Sequence, residues 1–450
     1  MKTSDKLKKY PKKFWLIPLV IFIIPIVGEF FIRDIIYQWS LDVIISLQKW
    51  MDSSHLSQKD LPLIYEFLNY STLNVFYMLL CVLVYNFLNV YKSFILVLSV
   101  YFSNFLSTFL CFIYHVPRPY MVNELIVPYF KITDWGYPST QIVTMIAFFA
   151  TFHAVIFKSK LTKDKLCLKI VLGLIFGLIN LFYIFMHFAG GVVSLEQILL
   201  SVFMGFVVFF TMFFIFEAKV NNAKQFYMIV HFRFFYYLLI NIILVAFLIL
   251  FYKFIVDAEA TAYYSQHVVA QIGRIEDVVY TIRTMGFFSL NGANFCNAIC
   301  FLSNIFAIIG LKFELYGTYS SNFDTWKKGN FENQEGQTGL TYSIYSDHQF
   351  IKGTQWNHTS TVKKIFRLFL LIILIVIGFI LAFIIELIAR RNEDKGTTVE
   401  TNPGFFYSLT RYVFFIGFPY FYISFGMFFF FKFVSKKLGL TNITMNSSSY

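Results

Sequence analysis

The chain has 450 residues, of which 58% are hydrophobic and only 14% charged, and its mean hydropathy is +0.65. This composition excludes a soluble globular protein and predicts an all-α, polytopic bundle of membrane helices. The net charge of +12 comes from short Lys clusters beside apolar runs, which is typical of the cytosolic loops of membrane proteins. Nucleic-acid binding would need a basic face on a soluble body, so we expect no nucleic-acid partner. The cysteines are not grouped as metal ligands, and we expect neither a metal nor a cofactor.

The N-terminal part predicts several membrane spans. A Lys cluster between Lys2 and Lys13 precedes an apolar run from Phe14 to Ile32, which predicts a cytosolic N-terminus and a first span. The stretch from Ile35 to Trp50 mixes apolar and polar residues at helical spacing, which favours a separate helix lying in the outer interface. A Lys-rich connection from Lys158 to Lys169 indicates a cytosolic loop. Further spans are predicted at Leu73 to Val90, Ser93 to Tyr114, Pro138 to Phe157, Leu166 to Phe188 and Ser194 to Phe216.

The C-terminal part predicts about four more spans. Lys436 and Lys437 indicate a cytosolic C-terminus. Asn291, Asn294 and Asn297 recur at every third residue and favour a polar helix contact, with a re-entrant segment or a transport path as the alternatives. We therefore divide the chain into a membrane core at 1–217 and a C-terminal membrane extension at 218–450. The predicted spans are Phe234 to Val256, Phe288 to Leu311, Ile365 to Ala389 and Tyr412 to Val434.

Three polar segments interrupt the apolar runs, and the predicted topology places all three on the side away from the cytosol. Arg118 stands between two prolines, where it could bind a phosphate or snorkel to lipid headgroups. Pro138, Ser139 and Thr140 open a predicted span, where free amides could bind an anion or the hydroxyls could cap the helix. His187 near an apolar helix end could be a catalytic group or a packing residue.

Together these segments resemble the motifs of the type 2 phosphatidic acid phosphatase superfamily, which includes lipid phosphate phosphatases and vanadium haloperoxidases. The resemblance covers roughly Leu73 to Phe216 and implies a six-helix core with its site facing the lumen or the cell exterior. In that family a Lys and two Arg hold the phosphate, one His attacks it and another protonates the leaving group. Here Arg118 and Pro119 match the first motif, but Cys111 stands at the Lys position.

The other two motifs match less completely. Pro138 and Ser139 match the second motif, while Thr140 replaces a Gly and Gln141 replaces the His that acts as general acid. For the third motif, aligning Gly191, Ser194 and Gln197 puts Val193 at the nucleophilic His and His187 at the second phosphate-binding Arg. Gln197 then stands at the position of the orienting acid. A competing register makes His187 the nucleophile, with Gly191 at the position of that acid.

The resemblance implies a protein that kept the fold and lost its chemistry. Valine cannot attack phosphorus, and groups that act as a unit cannot compensate for one another. We therefore expect a pseudophosphatase whose partners are membrane lipids, including lipid phosphates, or another membrane protein. The alternative is an active lipid phosphate phosphatase that works through a phosphohistidine at a substitute nucleophile such as His187.

Overall fold

The computed structural model describes residues 16–53, 70–88, 90–127, 135–157, 165–216, 234–255, 300–319, 360–395 and 422–440. Within these ranges every regular element is helical, which confirms the predicted all-α class. In chain order the helices are α1 (Leu16–Ser53), α2 (Tyr70–Leu83), α3 (Val90–Tyr114), α4 (Pro119–Val122), α5 (Thr140–Phe157), α6 (Leu166–Ala189), α7 (Leu195–Phe210), α8 (Phe234–Ile255), α9 (Asn304–Tyr319), α10 (Thr361–Lys395) and α11 (Phe431–Lys437). Short π-helical or 3₁₀ turns cover Val84–Leu88, Thr211–Phe216, Cys300–Ser303 and Tyr422–Phe430.

Four described stretches are long and apolar enough to cross a bilayer, namely Lys92–Val122, Thr140–Phe157, Leu166–Ala189 and Leu195–Phe213. By length and composition the protein is therefore a helical membrane protein. Shorter apolar helices at Phe234–Leu248 and Phe301–Leu311 fall within further predicted spans. The Asn291, Asn294 and Asn297 series lies outside the described residues.

The N-terminal helix differs from the prediction. Instead of a span followed by a separate interfacial helix, α1 runs without interruption from Leu16 to Ser53. One face of its C-terminal half packs against the protein, with Ser40, Leu41, Ile44 and Gln48 all buried, while Trp39 and Trp50 are 57% and 58% exposed. Ser40 and Gln48 hydrogen-bond to distant segments of the chain, whereas Gln38, Asp42 and Lys49 are exposed. The position of this half in the outer interface stays a prediction.

The core is built around α3, which packs closely against α5 and is mostly buried. Where α5 meets α7, a Cβ on Gly205 would lie 2.6 Å from Cβ of Ile146, so the glycine permits the close approach of the two helices. The hydrophobic core continues into the C-terminal part of the chain. The ring of Tyr85 lies 5.2 Å from that of Phe428, measured between centroids. Helices from both predicted parts therefore share one core.

Candidate functional site at the converging helix ends

Four helix ends converge at one end of the bundle. The C-terminal ends of α3 and α6 meet the N-terminal ends of α5 and α7, and Arg118, after α3, donates to the carbonyl of Val192, which lies between α6 and α7, at 3.0 Å. The Cys111 thiol donates a hydrogen bond to the carbonyl of Pro138 at 3.1 Å, and the Ser139 amide donates to Ser201 Oγ at 2.7 Å. The three polar segments of the sequence thus come together. We call this region the motif end; it comprises Cys111, Arg118, the 138–141 segment, His187, Val193 and Gln197.

Arg118 lies at the centre of the motif end and is completely buried. Its Nη1 donates to the carbonyl of Val192 at 3.0 Å, and its Nη2 donates to the carbonyl of Trp135 at 3.5 Å. Hydrogen bonds from a charged donor are stronger than neutral ones, and they offset part of the cost of burying a guanidinium. Arg118 therefore fastens the loop before α5 to the loop before α7.

The segment before α5 is also held by internal hydrogen bonds. The helix begins at Thr140, and the Ser139 carbonyl accepts from the Val143 amide at 3.0 Å, so Pro138 lies before the first turn instead of inside it. The Ser139 hydroxyl donates to Gln141 Oε1 at 3.0 Å. Both the amide and the hydroxyl of Ser139 thus have partners within the protein, and Gln141 is one of them.

His187 lies in the last turn of α6 and is buried, with 1% of its surface exposed. Its ring packs against that of Tyr183, with 4.2 Å between the centroids. The chain then turns through Gly191, whose φ of +68° and close approach to Ile126 both require glycine. Val193, just beyond this turn, is fully buried among apolar residues. Val193, which the resemblance would align with the nucleophile, therefore packs as a core residue.

Gln197 joins the first and third segments. Its Nε2 donates to the carbonyl of Pro117 at 3.0 Å, and its Oε1 accepts from the Ser194 amide at 3.3 Å. A Cβ on Gly136 would lie 2.6 Å from the same Oε1 and 3.0 Å from Cγ of Arg118. Both polar atoms of the Gln197 amide are thus used to hold loops in place.

Sequence reasoning missed Gln48 on α1. Its Nε2 donates to the carbonyls of Val127 and Ala189, at 2.9 and 3.1 Å, and its Oε1 accepts from the Val127 amide at 3.0 Å. The Ser40 hydroxyl accepts from the Leu195 amide at 3.1 Å. The sequence did contain a signal for Gln48, because Leu41, Ile44 and Gln48 follow the spacing of one helix face. This face of α1 covers the motif end.

Glu196, in the first turn of α7, was also missed. Its side chain is buried, with 3% of the residue exposed. The Ser194 hydroxyl donates to Glu196 Oε1, whereas Glu196 Oε2 has no hydrogen-bond partner within the described part of the chain. An acidic residue at the start of an apolar run is a signal that could have singled it out.

The motif end therefore contains the buried guanidinium of Arg118 and the buried imidazole of His187 among hydrogen-bonded loops, and the buried carboxyl group of Glu196 belongs to the residue before Gln197. Among the described residues, no three His, Cys, Asp or Glu side chains gather where they could hold a metal ion. Comparison with protein-family models, curated proteins and solved structures finds no match to this chain.

Proposed function

We propose that the protein is a membrane pseudophosphatase, with a lipid phosphate phosphatase-like core that recognises a phospholipid headgroup or a membrane-protein partner without hydrolysing it. The proposal takes 1–217 as the core and 218–450 as an extension of about four spans. It places both termini in the cytosol and the motif end on the lumenal or extracellular face, as the Lys clusters indicate.

The observation that best supports this proposal is the environment of Arg118 and Val193. The Arg118 guanidinium donates to the Val192 and Trp135 carbonyls, so these donors hold the loops of the protein itself. Val193, the next residue, is fully buried. A covalent mechanism needs a nucleophile with a lone pair beside a cationic cradle. Here the Val193 side chain has no lone pair, and the Arg118 guanidinium donates to main-chain carbonyls.

The remaining motif residues support the same proposal. Gln197 stands at the position of the orienting acid, and both ends of its amide are engaged, with Pro117 and Ser194. Gln141 stands at the position of the general acid, and its Oε1 accepts from Ser139. An amide cannot serve as a general acid near neutral pH. Since catalytic groups act as a unit, replacing several of them removes nearly all of the rate enhancement.

An active phosphatase using His187 is the competing proposal. It is favoured by the presence of His187 and Arg118 at the same end of the bundle, within electrostatic range of each other. It requires a phosphate to reach an imidazole that is 1% exposed and packed on Tyr183. The burial of His187 therefore favours the packing role over the catalytic one.

Phosphate release from phosphatidic acid and other lipid phosphates, without added metal, separates the two proposals. We expect wild type, Arg118→Ala and His187→Ala to match a protein-free blank. His153→Ala is the matched control, because His153 lies on α5 outside the motif end. Release by the wild type that is lost in His187→Ala but kept in His153→Ala would replace the pseudophosphatase with the active enzyme.

A further inference from the structure

The C-terminal half of α1 covers the motif end, and we call residues 37–51 of this helix the lid. At the motif end Arg118, Ser139 and Gln197 are 0% exposed and His187 is 1% exposed, so a lipid headgroup has no direct access to them. Recognition of a headgroup at this end therefore requires a covering element to move.

The lid packs on the motif end through a small apolar cluster that is separate from the main hydrophobic core. Leu41 and Ile44 of the lid lie in this cluster with Cys111 and Trp135. The Trp135 carbonyl accepts from Arg118 Nη2 at 3.5 Å, so the cluster adjoins the buried guanidinium. Lifting the lid would therefore uncover Cys111 and the surroundings of Arg118.

The main core depends less on the lid than on the other helices. Met51 of the lid belongs to that core and Leu47 packs against it. The core is otherwise built largely from helices such as α3, α5 and α7, which pack on one another. Regions with fewer core contacts open at a lower free energy than the core itself. The lid can therefore open while the bundle stays folded.

Polar anchors hold the lid closed. Gln48 bonds to the amide and carbonyl of Val127 and to the carbonyl of Ala189. Ser40 Oγ accepts from the Leu195 amide at 3.1 Å. These main-chain partners lie in a loop or at a helix end, where water can take over the hydrogen bonds once the lid lifts.

The outer face of the lid suits a second position, in the membrane interface. Trp39 and Trp50 are 57% and 58% exposed, and they share their helix face with the exposed Asp42 and Lys49. Tryptophan and charged side chains on one face are typical of helices that lie in the interface. Pro25 has no amide to donate to the preceding turn, so α1 bends readily on the N-terminal side of the lid.

We propose that the lid gates the motif end, closing it in this structure and moving to the interface when the phosphate of a lipid headgroup binds at Arg118. A guanidinium matches a phosphate monoester, as in phosphatidic acid. The inference rests on the proposed headgroup recognition and adds its regulation. A ligand that binds only the open form has its apparent affinity reduced by the open fraction, so a variant must change lid opening and ligand binding by the same factor.

The first readout is lid opening at Cys111, in the purified full-length protein in micelles. Maleimide labelling of each cysteine is followed by peptide mass spectrometry, and Cys81, buried in the main core, reports unfolding in the same sample. We expect Gln48→Ala to label Cys111 about tenfold faster than wild type, because it removes the hydrogen bonds of one anchor. Cys81 should stay protected. Gln38→Ala, on the exposed face of the lid, is the matched control and should label like wild type.

Ser40→Ala removes the second anchor and should also accelerate labelling of Cys111. Its matched control is Ser46→Ala, because the Ser46 hydroxyl donates to a carbonyl of its own helix. Joint exposure of Cys111 and Cys81 in both anchor variants would overturn the inference, since the lid would then open only together with the core.

The second readout is binding of phosphatidic acid, compared with phosphatidylcholine and inorganic phosphate. We expect Gln48→Ala to bind phosphatidic acid more tightly than wild type by the same factor by which its Cys111 labelling rises. Adding Arg118→Gln should abolish this gain while Cys81 stays protected. Faster labelling without tighter binding would overturn the gate. Equal tightening for phosphatidylcholine or inorganic phosphate would overturn the choice of a lipid phosphate as the ligand.

This result is separable from the test of the proposed function. Phosphate release by the wild type would overturn the pseudophosphatase whatever the lid does. Tight binding of phosphatidic acid by wild type, with an affinity that the anchor variants do not change, would leave headgroup recognition standing and overturn only the gate.

Discussion

Arg118 is a fully buried guanidinium whose hydrogen bonds hold two loops together. A buried guanidinium with solvent or phosphate before it would be a binding group, whereas donors directed at the Val192 and Trp135 carbonyls fix two loops. The sequence could predict that Arg118, Ser139 and His187 meet, because each lies at the mouth of an apolar run. It could not predict their hydrogen-bond partners, because these are main-chain atoms of loops without regular structure.

A substitution at Gly136 measures how tightly the loop before α5 is packed on Gln197. In Gly136→Ala the new Cβ would approach Gln197 Oε1 at 2.6 Å and Arg118 Cγ at 3.0 Å. We expect the free energy of unfolding to fall by about 1 to 3 kcal/mol, as in other overpacked cores. Thermal unfolding in detergent micelles measures the effect.

Gly177→Ala is the matched control, because an added Cβ there meets nothing within 4 Å. As an alanine inside α6, it should leave stability unchanged or raise it by up to about 1 kcal/mol. Equal destabilisation by both substitutions would show that the loop before α5 is not closely packed on Gln197.

At the scale of elements, α1 is the least expected part of the fold. Its length and hydropathy predicted a span, but its polar C-terminal half was interpreted as an interfacial helix. Composition cannot distinguish a polar residue that faces water from one that hydrogen-bonds to a distant loop, and Gln48 is of the second kind. Helix ends were predicted better, because Ser194 and Gln197 have the sequence signature of a helix start.

Removing the Gln48 side chain should loosen the covering of the motif end. Gln48→Ala leaves the Val127 amide and two carbonyls without their partner, and each unsatisfied group costs about 1 to 3 kcal/mol. Hydrogen–deuterium exchange of the Val127 amide should accelerate by about tenfold or more. Gln38→Ala, on the exposed face of α1, should leave that exchange unchanged. Unchanged exchange in Gln48→Ala would mean that α1 does not hold the loop.

At the scale of the whole molecule, the described helices of both predicted parts share one hydrophobic core. Phe428 contacts the rings of Tyr85 and Phe94, at centroid distances of 5.2 and 6.0 Å. Hydropathy predicted the four described stretches that are long and apolar enough to cross a bilayer, since such helices must be apolar to lie there. It could not predict which helices pack together, because lipid-facing and buried positions are equally apolar in such a chain.

Phe428→Ala should therefore destabilise the helices of the N-terminal part as well as the C-terminal segment that contains Phe428. We expect a loss of about 3 to 5 kcal/mol, as for other large-to-small changes in a core. The thermal unfolding midpoint and the reactivity of the buried Cys81 thiol with maleimide measure the effect. Phe433→Ala, at a 60% exposed position on α11, should change neither. Unaltered Cys81 protection in an unfolding-prone Phe428→Ala variant would mean that the two parts fold independently.

The most direct test of the proposed pseudophosphatase is a search for the covalent intermediate that an active phosphatase would form. The purified protein is incubated with phosphatidic acid labelled in its phosphate, denatured and assayed for label on the polypeptide. In the proposed alignment Val193 stands at the position of the nucleophile, and His187 is buried against Tyr183, so we expect no label above that of His187→Ala. Label on the wild type that His187→Ala removes would show that the chain still forms a phosphohistidine, and it would contradict the loss of chemistry.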